Sequence, residues 1–293
     1  GELYSTGGPL HAVAAGDLDG DRRTDLIIGP NDRPQLSLLY GRQAPRRLMG
    51  PVELPLSSSD VQAIAVWERA DAAAAERILL AFTHPGLHTV EVVLGDGSKW
   101  WNSLRSRSFE TGTYPTALIV TDLNQDSYAD VVVTNTEDDD VSVLLGSPGA
   151  SLLMPQRRYP VCSRPRALAS GDLNQDGLLD LAITCSDTGQ LRLLLGESGG
   201  TLRPGPLLAV GQSAYGVVIG DLNRDGQPDL IIADAAADFD AMEAETSRLA
   251  ELYERRGQAV FIDAQRHARK PFDKTELLLR GQERAAVAIV RHA

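Results

Sequence analysis

One nine-residue pattern, D-x-[DN]-x-D-x-x-x-D, occurs four times in this chain, each time running straight into an apolar stretch. The copies lie in GDLDGDRRTDLIIG (16–29), TDLNQDSYADVVVT (121–134), GDLNQDGLLDLAIT (171–184) and GDLNRDGQPDLIIA (220–233). Their first aspartates, Asp17, Asp122, Asp172 and Asp221, stand 105, 50 and 49 residues apart. The first interval is two periods, which predicts a degenerate copy near residue 68. QAIAVWERADAAAAERILLAF (62–82) fills that place, with Glu68 at the first ligand position, Glu76 at the last, and Ala70 and Ala72 between them. This copy is expected to keep the architecture and to have lost its metal. A sixth trace, RAAVAIVRHA (284–293), reads as the opening strand of one more unit.

A period near 50 residues fixes the fold class more tightly than composition does. Each unit holds four short β runs; around Asp172 they are 167–170, 179–184, 191–195 and roughly 205–210. Four strands per repeat of this length predict an all-β protein, a β-propeller of four-stranded blades. Five repeats are recognisable, plus the partial one. A parallel β-helix is the rival, but its coils are shorter. Alternating α/β units are excluded because a single helix is evident, DFDAMEAETSRLAELYERRG (238–257). Asp240 and Glu243 resemble a capping box, Met242, Leu249 and Tyr253 share a face, and Gly257 ends it, so it reads as a helical insertion in the fifth blade. Residues 1–293 are thus expected to form one propeller domain. The chain opens on what reads as a blade-closing strand (Glu2–Ser5). Either the ring closes with few blades or the chain is part of a longer one.

The loop chemistry follows from residue type and spacing. Side chains at positions 1, 3, 5 and 9, with a backbone carbonyl at position 7, supply oxygen ligands only. The four sets are Asp17, Asp19, Asp21, Arg23 and Asp25; Asp122, Asn124, Asp126, Tyr128 and Asp130; Asp172, Asn174, Asp176, Leu178 and Asp180; and Asp221, Asn223, Asp225, Gln227 and Asp229. Such donors suit a hard cation, and the irregular loop suits Ca²⁺ better than Mg²⁺, which demands near-ideal octahedral geometry. Up to four Ca²⁺ ions are expected. Neither Cys nor His falls in these loops, which argues against Zn²⁺ and copper. An EF-hand needs Glu at position 12, where Ile28, Val133, Ile183 and Ile232 stand instead. Asp, Asn and Gly also make good turns without any metal, but four copies in register, all with Asp at position 9, favour the metal. Position 6 calls for a positive φ; Arg22 and Ser127 there, in place of Gly177 and Gly226, carry strain of about 1 kcal/mol. The sites at 172 and 221 therefore rank first and that at 122 last.

These loops resemble the calcium loops of FG-GAP/VCBS-type repeats, found in the β-propeller of integrin alpha subunits and in many bacterial surface and secreted proteins. LLLGESGGTL (193–202) resembles the family's third-strand ending and Gly-rich turn. The resemblance covers about residues 5–235 and, weakly, 258–293. It implies a propeller, Ca²⁺, and binding or adhesion on a propeller face rather than catalysis, in a secreted or cell-surface protein.

The remaining features narrow the function classes. A net charge of −12 argues against nucleic acid. Of the 40 acidic residues, 13 lie in the four loops, so much of the acidity is metal-site charge. No run of 18 apolar residues is present to span a membrane. The chain starts at Gly1 without a signal-peptide pattern and reads as a processed chain or an excised fragment. Cys162 and Cys185 sit at strand ends that antiparallel pairing brings together; a disulfide fits that placement, and two separate thiols are the alternative. Trp101 aligns with blade-packing residues, while Trp100 faces the other way and could stack on a sugar. TEDDD (136–140) reads as a solvated turn. No HExxH or G-x-S-x-G motif occurs, and carboxylates repeated in every blade are architecture rather than an acid/base pair. The chain is therefore expected not to be an enzyme. A lectin-like carbohydrate binder and a propeller enzyme such as a polysaccharide lyase are the alternatives. The partner, a protein or a glycan, is not written in the sequence.

Overall fold

The computed structural model describes residues 10–30, 33–42, 48–68, 78–95, 105–148, 152–221, 226–234, 259–263 and 286–291. They form five antiparallel sheets of four strands each. The chain divides into two compact units after Tyr159.

The first unit holds three sheets. Sheet 1 is β1 (Leu10–Gly16), β2 (Asp25–Pro30), β3 (Gln35–Gly41) and β4 (Leu48–Pro55). Sheet 2, on the degenerate repeat, is β5 (Ile64–Glu68), β6 (Ile78–His84), β7 (Thr89–Gly95) and β8 (Arg105–Glu110). Sheet 3 is β9 (Pro115–Thr121), β10 (Asp130–Asn135), β11 (Asp140–Leu144) and β12 (Arg157–Pro160). Each is a meander with strands in chain order. A 3-10 turn, Pro85–Leu87, is the helical element among the described residues.

In the second unit, sheet 4 is β13 (Pro165–Gly171), β14 (Asp180–Cys185), β15 (Gln190–Glu197) and β16 (Thr201–Ala209), matching the four runs expected there. Sheet 5 comprises β17 (Ala214–Gly220), β18 (Asp229–Asp234), β19 (Ala259–Asp263) and β20 (Ala286–Arg291), in the order β17-β18-β20-β19. This corrects the sixth trace. Ala286–Arg291 opens no new sheet but pairs with β18 on one side and β19 on the other. Its apolar run is what an inner strand needs, and the sequence alone does not say which neighbour it pairs with. The expected helix at 238–257, the strand at Glu2–Ser5, and Trp100 and Trp101 lie outside the described residues.

Second strands are central, which explains their apolar runs. Every residue of β10 and of β14 is buried. Successive sheets within a unit pack face to face. Ile27, Leu36, Leu38 and Tyr40 of sheet 1 meet Leu80, Phe82 and Val93 of sheet 2. Leu79, Ala81 and Val90 of sheet 2 meet Val131, Val133 and Leu144 of sheet 3. In the second unit Ala182, Leu191 and Leu193 meet Val217, Leu230 and Ile232. Each such side chain contributes on the order of 2 kcal/mol by leaving water.

In sheets 2 to 5 the second strand ends in a grip on the segment that leads into the first strand of the same sheet, and a different residue makes it in each of the four. In sheet 2 His84 Nδ1 lies 3.2 Å from the Asp60 carbonyl. In sheet 3 the Gly112 N–H donates to Asn135 Oδ1 at 3.0 Å. In sheet 4 Cys185 is bonded to Cys162, with Cα atoms 5.8 Å apart, so the disulfide reading holds. In sheet 5 the Gln212 N–H donates to Asp234 Oδ2 at 2.7 Å. One residue earlier, Thr83, Thr134 and Thr184 accept the backbone N–H of Ala63, Ala117 and Ala167.

Candidate metal centre

Each acidic loop joins the first strand of a sheet to the second. It is built from side-chain carboxylates turned back on their own backbone. In the loop at 172, Asp172 accepts the N–H of Asp176 at 3.0 Å and of Gly177 at 2.9 Å, and Asp176 accepts that of Leu178 at 2.9 Å. Asn174 Oδ1 accepts the Asp176 N–H, and its Nδ2 donates to Asp176 Oδ2, both at 2.9 Å. The loop at 122 repeats every one of these bonds with Asp122, Asn124 and Asp126. In the loop at 17, Asp17 accepts from Gly20 and Arg22, Asp19 from Asp21, and Asp21 from Arg23. In the loop at 221, Asp221 accepts the Gly226 N–H at 2.9 Å, while Asn223 and Asp225 lie outside the described residues.

Position 6 is left-handed in all four loops, at Arg22 (φ 65°), Ser127 (69°), Gly177 (85°) and Gly226 (83°). The strain expected at Arg22 and Ser127 is there. Position 4 is left-handed too, at Gly20, Gln125 and Gln175, which the sequence reading missed.

Positions 1, 3 and 5 converge; position 9 does something further. In the first loop, carboxylate oxygens of Asp17, Asp19 and Asp21 all lie within 4.8 Å of one another. The loops at 122 and 172 carry Asn at the middle position and so present two carboxylates and an amide. Asp25, Asp130, Asp180 and Asp229 are fully buried. Asp25 accepts the Leu18 N–H and the Gly41 N–H, both at 2.7 Å. Asp130 accepts from Leu123 at 2.8 Å and Gly146 at 2.6 Å; Asp180 accepts from Leu173 at 3.0 Å and Gly196 at 2.7 Å. The ninth aspartate thus clips the loop to the end of the third strand.

Two sets of residues that serve this clip went unread in the sequence. Leu18, Leu123 and Leu173, at position 2, are buried and hold the loop on the core. Gly41, Gly146 and Gly196 each stand 16 residues after the ninth aspartate. A Cβ on Gly41 or Gly146 would come within 2.6 Å of a backbone carbonyl oxygen, that of Thr24 or Ala129, and Gly196 is equally close to the Leu179 carbonyl. The repeated GDL and the constant D-to-G spacing were the available signals.

Burial pushes these clip carboxyls upward. Asp130 is raised to about 6, by desolvation first, against the pull of the Gly146, Leu123 and Asn124 amides. Asp25 and Asp180 are raised for the same reason, with the charges of Asp19 and Asp21, or of Asp176, adding to it. A carboxylate held in a dry place beside other carboxylates favours a cation nearby. Oxygen donors alone, clustered on a hairpin, fit a hard divalent ion, with positions 1, 3 and 5 as the outer ligands.

In sheet 2 the connection between the first two strands lies outside the described residues, but its two ends are described. Strand register sets Glu68 opposite Ile78 and Trp67 opposite Leu79, so Leu79, not Glu76, takes the place of the ninth aspartate. The connection is therefore longer than in the other sheets, and an apolar residue fills the clip position. Gly95, opposite Ile78, persists at the third-strand end. Glu68 turns to the first loop instead and accepts the Asp17 N–H at 2.5 Å. The TEDDD turn is more anchored than expected. Glu137, Asp138 and Asp139 are exposed, but Thr136 and Asp140 are buried, and Arg158 pairs with Asp138 and, at 2.7 Å, with Asp140.

Sheets of four strands with acidic loops between the first and second define a β-repeat protein of the propeller-like class. Residues 135–232 match the family model of the FG-GAP-like repeat, which bears out the resemblance read from the loops. No curated protein matches the chain. Among solved structures, it is similar to the periplasmic gluconolactonase PpgL of Pseudomonas aeruginosa (TM-score 0.51, 17% identity, 70% of this chain and 55% of that one). The chain thus spans about half the length of that enzyme. It is also similar to BBS1N in its complex with ARL6DN (0.47, 16%, 76% and 75%). A candidate 6-phosphogluconolactonase from Bacteroides uniformis is a further likeness (0.47, 15%, 74% and 65%). At such identities the likeness is one of fold. It overturns the expectation that the chain is not an enzyme: an enzyme, the gluconolactonase, has a similar fold, and motif absence in the sequence does not exclude catalysis. No helix among the described residues is long and apolar enough to cross a membrane.

Proposed function

We propose that this chain is a calcium-stabilised propeller module of the FG-GAP/VCBS type, which binds a protein or glycan ligand on one face of the ring, in a secreted, periplasmic or cell-surface setting. One observation carries the reading: loops far apart in sequence fold into the same hairpin, with the side chains of positions 1, 3 and 5 gathered at its tip. Asp17, Asp19 and Asp21, Asp122, Asn124 and Asp126, Asp172, Asn174 and Asp176, and Asp221, Asn223 and Asp225 would hold the ions. The carbonyls of Arg23, Tyr128, Leu178 and Gln227 would complete each set, and Asp25, Asp130, Asp180 and Asp229 would back it. Calcium supplies charge neutralisation of the loop. The Cys162–Cys185 disulfide supports an oxidising compartment.

A cation that binds the folded state alone adds about 2.7 kcal/mol per site at a hundredfold excess over Kd. The melting temperature in millimolar Ca²⁺ is therefore expected to exceed that in chelator by at least about 5 °C. Equal melting temperatures would overturn the metal reading. A hydrolytic role on the same fold is the second reading, favoured by the likeness to the gluconolactonase; turnover of a glucono-lactone is its test.

A further inference from the structure

The four acidic loops are not electrostatically equivalent. The first alone has arginines at both places from which a side chain reaches the cluster. Arg23 occupies position 7, where the other loops have Tyr128, Leu178 and Gln227. Arg42 directly follows the third-strand glycine, where sheets 3 and 4 have Ser147 and Glu197. Arg42 Nη1 lies 3.1 Å from Asp19 Oδ2 and 3.2 Å from Asp21 Oδ2, so one guanidinium bridges two outer carboxylates. Arg23 Nη1 lies 2.6 Å from the same Asp21 oxygen. These groups are part-buried: Asp19 and Asp21 side chains are 16% and 23% exposed, that of Arg42 35%. Arg42 also lies over the Tyr40 ring, 5.7 Å from its centroid. That cation–π contact helps fix its direction.

Resting on the calcium reading above, we infer that Arg42, assisted by Arg23, is the resident cation of the first loop: it neutralises Asp19 and Asp21 when no metal is bound and competes with a divalent ion for them. The physical reasoning is short. Three carboxylates drawn within 4.8 Å of one another repel, and Glu68 adds a fourth charge at the Asp17 amide. Something positive must sit among them for the hairpin to close. In the loops at 122 and 172, an asparagine lowers the charge and no arginine reaches the cluster among the described contacts, so the ion is the counter-charge there. In the first loop the protein supplies its own. A divalent ion can enter it only by displacing a guanidinium that is tethered and held at two oxygens. The loop with the most carboxylates is therefore the weakest calcium site, the reverse of what a count of acidic ligands suggests.

Calcium titration of the chelator-stripped full chain by calorimetry, beside thermal melts in chelator, tests this in wild type and in Arg42→Gln and Arg23→Gln/Arg42→Gln. Wild type is expected to bind one ion fewer tightly than it has loops. Arg42→Gln is expected to tighten that weak site about tenfold, because a competing unit charge is removed from a part-buried cluster. In chelator the same variant is expected to melt about 2 °C lower, its first loop having lost its counter-ion. Four equal tight sites in wild type would overturn the inference. So would an Arg42→Gln variant that keeps both the wild-type affinities and the wild-type melting temperature in chelator. Calcium binding by neither protein, with the chelator-state loss still present, would sink the calcium reading instead and leave Arg42 as the loop's permanent counter-ion.

Discussion

The two ends of the second strand solve the same mechanical problem in opposite ways. At the loop end, Asp25, Asp130 and Asp180 do one job with one residue, each bridging a loop amide and a third-strand glycine amide. At the far end, His84, Asn135, Cys185 and Asp234 do one job with four residues, each gripping the segment that enters the first strand. The difference is one of geometry. A clip that must accept two N–H groups from two directions in a dry place is best made by a short carboxylate. A grip on a nearby backbone can be any group that bonds across the gap, covalently or not.

The comparison can be broken most sharply at the loop end. Asp180→Ala leaves the Leu173 and Gly196 amides buried without their acceptor and is expected to cost about 4 kcal/mol, read by urea denaturation. A cost under about 1 kcal/mol would mean that the loop, not the clip, holds the turn. At the far end, Cys162 and Cys185 close a loop with a sequence separation of 23. Cys162→Ser/Cys185→Ser opens it and is expected to cost about 3 kcal/mol. If the serines cost almost nothing, the grip in sheet 4 is already made by strand pairing.

Acid sharpens the comparison at sheet 2. Glu91 is held down to about 2: burial raises it, but hydrogen bonds from His84, Ser57 and Ser106 and the charge on His84 outweigh that. Its Oε2 lies 3.1 Å from His84 Nε2 and accepts the Ser57 hydroxyl at 2.5 Å. His84 Nδ1 faces the Asp60 carbonyl and Nε2 the Glu91 carboxylate, so the ring ties the strand end both to the entering segment and to β7. A folded pKa below the unfolded value makes the contribution complete above pH ~4.5 and lost as pH falls toward 2. The loss is expected to be about 2 kcal/mol, with a flatter acid limb in Glu91→Gln. The smallest effect is a gain. Ser127 is left-handed. Ser127→Gly is expected to stabilise by about 1 kcal/mol, whereas Gln227→Gly, at the next position of another loop, should not.

The same comparison accounts for what could be read in advance. Much of what repeats was legible: the four-stranded units, a sheet on the degenerate repeat, the side chains gathered at positions 1, 3 and 5, the strained position 6. The ninth aspartate was legible as a residue but not as a clip. Its partners are backbone amides, which leave no mark of their own beyond Leu at position 2 and the recurring glycine at the end of the third strand. The far-end grip was hidden except at the cysteines, since four different side chains make no pattern. The placement of Ala286–Arg291 failed for a related reason: an apolar run does not record which neighbours a strand pairs with.

The clip and the loop tip are separate pieces of hardware. Asp25, Asp130 and Asp180 hold the hairpin from below, while the tip side chains hang outside it. The clip's bonds run to backbone amides and not to tip side chains, and sheet 2 shows that even the clip can be traded for Leu79 opposite Trp67 with the sheet still formed. The tips are thus free to drift, be lost, or be rewritten one at a time, and a protein engineer could change the residues each one carries without redrawing the scaffold.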